Sequence, residues 1–157
     1  MSFAPERLRA ALERGLQDAG ATPSGCCIAL SGGLDSTVLA AALAHSGAGR
    51  GLTLRTLHVD HGLHPDSARW SAHCRQLAER LGVSCEVVAV DARPAAGESP
   101  EAAARAARYA ALAARFHGRE GLVTAHRGDL RRGPVLLQWL RGGGLSAVAG
   151  MRPVTPF

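Results

Sequence analysis

The sequence contains no lysine, because all eighteen of its basic residues are arginine. A Walker A phosphate loop uses a lysine to reach the outer phosphates of a nucleotide, so this class of nucleotide hydrolase is excluded. Catalysis through a Schiff base on a lysine of this chain is excluded for the same reason. A phosphate site in this protein must therefore be built from backbone amides, hydroxyl groups and arginine.

Long apolar runs and cysteine motifs are also absent. No apolar run approaches the ~20 residues that span a bilayer, and the N-terminus lacks the apolar stretch of a signal peptide. The four cysteines, Cys26, Cys27, Cys74 and Cys85, show no Cys-x-x-Cys spacing, which favours free buried thiols over a disulfide framework or a metal cluster. These absences predict a cytoplasmic protein with no membrane partner.

Aromatic residues make up only 4% of the chain. This is too few to suggest a stacking platform for single-stranded RNA, because such platforms use several aromatic rings in succession. Tyr109, Trp70 and Trp139 are therefore interpreted as packing residues.

Short apolar runs alternate with helical patterns along the chain. The predicted strands are 26–30, 52–59, 84–90 and 121–124, and the predicted helices are 5–19, 37–45, 67–81, 99–116 and 135–140. Strands that alternate with helices form parallel βαβ units, so we expect a doubly wound parallel α/β sheet with three layers, α/β/α. The 157 residues suit a single domain over 1–157. The pattern leaves open whether the last strand of such a sheet is present.

A glycine-rich segment lies between the first predicted strand and the next helix. Its two glycines allow a positive φ and a close approach of an anion, and the amides of the turn and of the helix N-terminus point toward that anion. A carboxylate beside phosphates indicates Mg²⁺ between them. The alternative is a tight turn whose serine caps the helix, but the strand–loop–helix context favours a phosphate site. The segment reads Ser31, Gly32, Gly33, Leu34, Asp35 and Ser36.

Polar residues follow the second predicted strand, where doubly wound sheets place their ligands. His61 is predicted to contact a nucleotide or a base, with the capping of loop backbone as the open alternative, and Asp60 is a further candidate. Arg105 and Arg108 share one face of a later helix and can clamp phosphate or an RNA backbone. Arginines on a solvated helix face are the common alternative, and the pattern alone does not separate the two interpretations.

These motifs resemble a known group of enzymes. Residues 31–36 resemble the S-G-G-x-D-S hallmark of the PP-loop ATP-pyrophosphatase superfamily, which has the adenine-nucleotide alpha-hydrolase fold. Residues 57–64 resemble the H-V-D-H-G-L-R signature of the tRNA(Ile)-lysidine synthase family, with His64 in place of arginine. The likeness runs from about residue 26 to residue 153. It implies a cytoplasmic ligase that uses ATP to adenylate the C2 oxygen of the wobble cytidine in an isoleucine tRNA with a CAU anticodon. The amine of free L-lysine then displaces AMP.

The resemblance also implies roles for individual residues. It favours a functional role for the two helix arginines, and it makes Asp35, Asp129 and Arg108 the candidate catalytic residues. Asp35 and Asp129 would hold Mg²⁺. The resemblance implies that Asp35 also binds the nucleotide. The other candidates for nucleotide binding are Ser31, Gly32, Gly33, Leu34, Ser36, Asp60, His61, Arg105 and His126.

The resemblance breaks after His126. Family members continue close to T-A-H-H-x-D-D-x-x-E-T and then V-L-L, but this chain keeps only Asp129 of the acidic set before the match resumes at Val135. The segment contains three arginines instead, and arginine neutralises phosphate but cannot ligate Mg²⁺. A second function therefore stays open, that of a non-catalytic nucleotide- or RNA-binding relative. We expect the C-terminal tRNA-binding domains of the family to be absent from this chain, as in an excised domain, a decayed relative or a sequence with a local reading-frame error.

Overall fold

The computed structural model describes residues 25–45, 53–115, 120–125, 135–139 and 154–156. The predicted helix over 5–19 lies outside the described residues. So do His126 and Asp129, two of the candidate site residues.

The described residues form six strands and three helices. The three helices are α1 (Leu34–His45), α2 (Ser67–Arg80) and α3 (Pro100–Ala114). The four strands expected from the sequence are confirmed, as are the predicted helices over 37–45, 67–81 and 99–116. The six strands are β1 (Gly25–Ala29), β2 (Thr53–Asp60), β3 (Ser84–Ala89), β4 (Glu120–Ala125), β5 (Val135–Trp139) and β6 (Val154–Pro156).

The predicted helix over 135–140 is wrong, because residues 135–139 form strand β5. This strand runs antiparallel to β4, with Gly121 opposite Trp139 and Ala125 opposite Val135. A short apolar run carries too little periodicity to separate a buried helix from a strand. The unpaired edge of β4 decides the outcome, since its free amides and carbonyls find partners on β5.

The sheet has the strand order β3-β2-β1-β4-β5-β6. β1 pairs in parallel with both β2 and β4, and β2 pairs in parallel with β3. This confirms the predicted parallel sheet for the first four strands, while β6 extends the sheet parallel to β5. The chain runs outward from β1 to β3 and then returns through α3 to β4 on the other side of β1. This reversal creates a crevice at the carboxyl ends of β1 and β4, where doubly wound sheets bind ligands.

The two faces of the sheet are covered by different helices, which confirms the three-layer arrangement. One face of β1 packs through Cys26 and Ile28 against α1 and α2. The buried side chains of these two helices in the cluster include Leu39, Leu43, Cys74 and Leu77. The other face packs through Cys27 against α3, with buried Leu57, Tyr109, Leu112 and Leu122. Side chains alternate between the faces because successive residues of a strand point in opposite directions.

The cysteines are free thiols, as the sequence predicted. Cys26, Cys27 and Cys74 are buried and Cys85 is half-buried. Burial raises the pKa of both the Cys26 and Cys27 thiols to about 12. Thiols with such a pKa stay protonated near neutral pH and pack as small apolar groups. Among the described helices, none is long and apolar enough to cross a membrane.

Candidate functional site

A cavity of about 400 Å³ opens at the carboxyl ends of β1, β2 and β4. The strand ends form its floor, and the loop after β2 and one side of α3 form its walls. Ser31, Asp60, His61 and Arg108 all line it, although they come from three separate parts of the chain. The fold therefore gathers several of the predicted site residues at the edge of the sheet where the topology places ligands.

Hydrogen bonds within residues 31–36 define the shape of the phosphate loop. The Ser36 hydroxyl donates to the Gly33 carbonyl at 3.0 Å and accepts from the Ser31 amide at 3.2 Å. Because its single proton is used, the 3.0 Å contact between the two serine hydroxyls has Ser31 as the donor. The buried Ser36 side chain thus closes the turn from within the first turn of α1. Because its oxygen accepts from a loop amide, Ser36 is not the helix cap that the alternative interpretation expected. The Ser31 and Gly33 amides donate within the turn, to the hydroxyls of Ser36 and Ser31, so the groups best suited to an anion are the amides at the N-terminus of α1.

Gly32 is the glycine that the turn requires. Its φ is +80°, and a Cβ at this position would lie 3.1 Å from Sγ of Cys74 on α2. Gly33, by contrast, has a φ outside the left-handed region. The loop backbone thus rests directly on α2, which fixes its position relative to the sheet.

His58 connects the end of β2 to the start of the phosphate loop. Its side chain is buried, and Nδ1 donates to the carbonyl of Leu30 at 2.8 Å. Cys74 Sγ lies 3.4 Å from the same nitrogen. Because Leu30 is the last residue before the loop, His58 holds the loop in place from the neighbouring strand.

Asp60 stabilises the loop that follows β2. Its Oδ1 accepts from the Gly62 amide at 2.9 Å and its Oδ2 accepts from the Ser71 hydroxyl at 3.0 Å. The bond from the Gly62 amide is the main reason that the pKa of Asp60 lies below its usual value. The Asp60 carboxylate therefore helps to position the adjacent residue His61. The predicted contact of Asp60 with a nucleotide stays a prediction.

His61 and Arg108 each place a buried nitrogen at the cavity without a hydrogen-bond partner among the described residues. These atoms are Nδ1 of His61 and Nε of Arg108. Burial lowers the pKa of His61, and the positive charge of Arg108 lowers it further, so the imidazole is neutral at pH 7. The Arg108 Nε–H can only donate, and an unpaired buried donor costs about 1–3 kcal/mol. A ligand that offers an oxygen to this nitrogen would remove that cost.

Arg105 and Arg108 flank the ring of Tyr109 on α3. Their guanidinium carbons lie 5.3 Å and 5.4 Å from the ring centroid, within the range of a cation–π contact. Tyr109 is buried and packs against the sheet, which confirms it as a core residue. Of the two arginines, Arg108 lines the cavity and Arg105 does not.

The sequence of this chain is similar to those of known proteins. The family model of the PP-loop domain matches residues 6–157. The chain belongs to the PP-loop domain family. Over 134 residues it is 52% identical to a tRNA(Ile)-lysidine synthase of Alkalilimnicola ehrlichii, which covers 85% of this chain and 30% of that protein. Over 153 residues it is 40% identical to a tRNA(Ile)-lysidine synthase of Bordetella bronchiseptica, which covers 96% of this chain and 44% of that protein.

The chain thus spans 30–44% of the length of these two relatives. An NAD⁺ synthetase of Burkholderia pseudomallei superposes with a TM-score of 0.41 at 20% identity, over 74% of this chain and 47% of that structure. The family resemblance expected from residues 31–36, hereafter the PP-loop, is confirmed.

The PP-loop contains one carboxylate, that of Asp35, which is half-buried in the first turn of α1. Within the described ranges, no group of three or more His, Cys, Asp or Glu side chains could hold a metal ion. A protein-bound Mg²⁺ is commonly held by one or two carboxylates together with phosphate oxygens and water, so Asp35 beside bound phosphates fits such an ion. The pairing of Asp35 with Asp129 stays a prediction, because Asp129 lies outside the described residues.

Trp70 and His64 are cavity residues that the sequence analysis missed. The interpretation of Trp70 as a packing residue is wrong, since its side chain is 49% exposed and lines the cavity. Its ring stacks on His64, with the centroids 4.7 Å apart and the planes at 23°. The available signal was positional: Trp70 lies in the first turn of α2, directly after the polar loop that carries His61.

Proposed function

We propose that this chain is the ATP-binding domain of a ligase that joins free L-lysine to C2 of the wobble cytidine in an isoleucine tRNA with a CAU anticodon. The observation that carries the proposal is the shared cavity, in which Ser31 at the start of the PP-loop meets the nitrogens of His61 and Arg108 that have no partner among the described residues. The names of the relatives that the chain matches support the choice of reaction.

In the proposed reaction the C2 oxygen of the cytidine attacks the α-phosphorus of ATP, and pyrophosphate leaves. The amine of lysine then attacks C2, and AMP leaves with the oxygen. The amides of the PP-loop and of the α1 N-terminus would stabilise the charge that develops on the leaving pyrophosphate. Mg²⁺ held by Asp35 would supply further charge neutralisation at the same phosphates.

Arg108 and His61 would act at the reacting end of the cavity. The Arg108 Nε–H donates to an oxygen that gains charge in the transition state, either on the α-phosphate or on the base. A neutral His61 can accept a proton, as the lysine amine must lose one when it attacks C2. Its lowered pKa keeps it in this form at pH 7.

The test is a reaction of the chain with ATP, Mg²⁺, lysine and an RNA stem-loop that carries the CAU anticodon. We expect AMP and pyrophosphate in equal amounts, and an increase in the mass of the RNA by one lysine residue. A stem-loop that carries uridine at the wobble position is the control and should yield neither AMP nor modified RNA. ATP binding without AMP formation on the CAU stem-loop would contradict the proposal.

The chain itself favours a second candidate function, a non-catalytic domain that binds nucleotide or RNA. Asp129 is the only acidic residue after β4, and the neighbouring positions in the sequence hold three arginines, Arg127, Arg131 and Arg132. Such a segment neutralises phosphate without offering the carboxylates that adenylation uses. This candidate predicts RNA binding that weakens steeply with salt, and no release of AMP under any condition.

A further inference from the structure

The stacked rings of Trp70 and His64 form an aromatic surface at the mouth of the cavity. Trp70 comes from the first turn of α2 and His64 from the loop before it, and both line the cavity wall. Half of the Trp70 side chain remains exposed although it belongs to a concave site. A large apolar ring exposed in a cavity is available to a flat ligand.

Hydrogen bonds close the backbone turn that carries the two rings. His64 Nδ1 accepts from the Asp66 amide at 3.1 Å, and the Ser67 amide donates to the His64 carbonyl at 3.0 Å. The Trp70 amide donates to the Asp66 carbonyl at 3.1 Å. The turn between the two residues is therefore closed by its own hydrogen bonds, and little ordering is left to be done when a ligand binds.

The aromatic surface lies one helical turn from the PP-loop. Gly32 of the loop faces Cys74 on α2, with a Cβ position 3.1 Å from the sulfur. Trp70 precedes Cys74 by four residues, so it lies on the same side of the helix at a distance of about 5–6 Å along the axis. A nucleotide whose phosphates bind the PP-loop therefore has its base within reach of this surface, as does a base presented to its α-phosphate.

We infer that Trp70, supported by His64, is a stacking platform for a nucleobase. The inference rests on the proposed function, in which the cavity takes ATP and an RNA base. The shared chemistry is the flat π-face of a purine or a pyrimidine, which stacks on an indole without sequence-specific hydrogen bonds. Its two sources are the adenine of ATP and the unpaired base of the RNA.

Tryptophan fluorescence tests the contact directly. The chain contains two tryptophans, Trp70 and Trp139, so the Trp70→Phe variant reports Trp139 alone. We expect ATP or the CAU stem-loop RNA to quench the emission of the wild-type chain and not that of Trp70→Phe. Tripolyphosphate, which has no base, should quench neither protein.

Matched substitutions separate stacking from apolar packing. Trp70→Leu keeps an apolar side chain and removes the π-face. It should therefore weaken the binding of either ATP or the CAU stem-loop RNA, whichever supplies the stacked base, by about 5- to 150-fold. Trp70→Phe should weaken it less than Trp70→Leu. His64→Arg should preserve the platform, because a guanidinium stacks on an indole, whereas His64→Ala should weaken it. Thermal unfolding of each variant checks that the fold is intact.

The ligands also distinguish the failure of this inference from failure of the proposed function. A loss confined to ATP identifies adenine as the stacked base, and a loss confined to RNA identifies the substrate base. Equal affinity of wild type and Trp70→Leu for both ligands, with tripolyphosphate still bound, overturns the platform. If tripolyphosphate does not bind, the PP-loop assignment and the proposed function fail, and the RNA measurement alone decides whether the platform exists.

Discussion

Arg108 is the residue at which burial and charge bear most directly on function. Its Nε–H is buried at the cavity wall with no acceptor in the described part of the chain, and its charge acts on the neighbouring His61. A folded protein that keeps a buried donor unpaired commonly uses it on a ligand. Two measurements at this residue follow.

Replacement of Arg108 by glutamine should slow AMP formation. A hydrogen bond from a charged donor contributes about 1.5–3 kcal/mol, so we expect a loss of about 10- to 100-fold in kcat/KM. Arg75→Gln, on the exposed side of α2, is the matched control and should keep the wild-type rate. A wild-type rate in Arg108→Gln would remove Arg108 from the reaction.

The same substitution should raise the pKa of His61. Burial and the charge of Arg108 both hold this pKa below 6.5 in the folded chain, and the substitution removes the charge. NMR titration of the His61 ring protons in both proteins measures the shift. A folded pKa below the unfolded value means that the unfolded chain binds more protons, so His61 opposes folding progressively as the pH falls below about 6.5. An unchanged titration midpoint would show that Arg108 does not act on His61.

At the scale of an element, the PP-loop depends on its contact with α2. Gly32→Ala introduces a side chain at a φ of +80° and within 3.1 Å of Cys74 Sγ. Gly82→Ala at the end of α2 has a φ of +68° and open space around it, so it isolates the conformational cost of about 1–2 kcal/mol. We expect Gly32→Ala to lower the free energy of unfolding by more than Gly82→Ala, and to weaken tripolyphosphate binding as well. Equal effects of the two variants in urea denaturation would contradict the packing argument.

An ion pair at the opposite end of the strands connects β2 to β4. Arg55 donates from Nε and from one terminal nitrogen to the two carboxylate oxygens of Glu120 at 2.9 Å and 2.6 Å. The bridge crosses β1 at Gly25, where a Cβ would lie 3.3 Å from Glu120 Cγ. Both side chains are largely shielded from water, at 14% and 13% exposure.

Glu120→Gln should therefore lower the free energy of unfolding by about 1–3 kcal/mol, because it leaves Arg55 only the longer and more exposed ion pair with Glu86, at 3.6 Å. The affinity for ATP should not change, since the pair lies at the amino ends of the strands, away from the cavity. Urea denaturation and nucleotide titration of the same variant check the two statements. A loss of ATP affinity in a fully folded Glu120→Gln chain would contradict this separation.

For the whole molecule, the positive charge is local. Residues 1–120 contain thirteen arginines and twelve acidic residues, whereas residues 121–157 contain five arginines and one acidic residue. The net charge of +5 thus divides into +1 and +4, and residues 127–134, which depart from the family pattern, contribute +2. The charge of this segment indicates a changed sequence after β4 at least as strongly as it indicates an RNA-binding surface.

Substitution of Arg127, Arg131 and Arg132 by glutamine tests the role of this segment. If all three contact RNA phosphates, the slope of log affinity against log salt should decrease in magnitude by about 2. Binding of the CAU stem-loop at several salt concentrations measures the slope. An unchanged slope would place the RNA backbone elsewhere on the molecule.

The local pattern of the sequence was enough to predict much of the fold. The first four strands, the helices between them and the PP-loop follow from hydrophobic periodicity, turn residues and capping, which act within a few residues of one another. Strand β5 could not be predicted, because its conformation depends on the free edge of β4, ten residues earlier in the chain. The roles of individual cavity residues were predicted only where a motif carried them, as for the PP-loop.

The sequence by itself determined that this chain builds a PP-loop without lysine between a strand and a helix, within a doubly wound sheet. Only the tertiary structure placed Arg108 of α3 beside His61 and left a buried nitrogen on each with no partner in the described part of the chain. It likewise stacked His64 on Trp70 at the mouth of the cavity. These contacts depend on the strand order β2-β1-β4, which brings distant parts of the chain to one edge of the sheet, and no local pattern encodes that order.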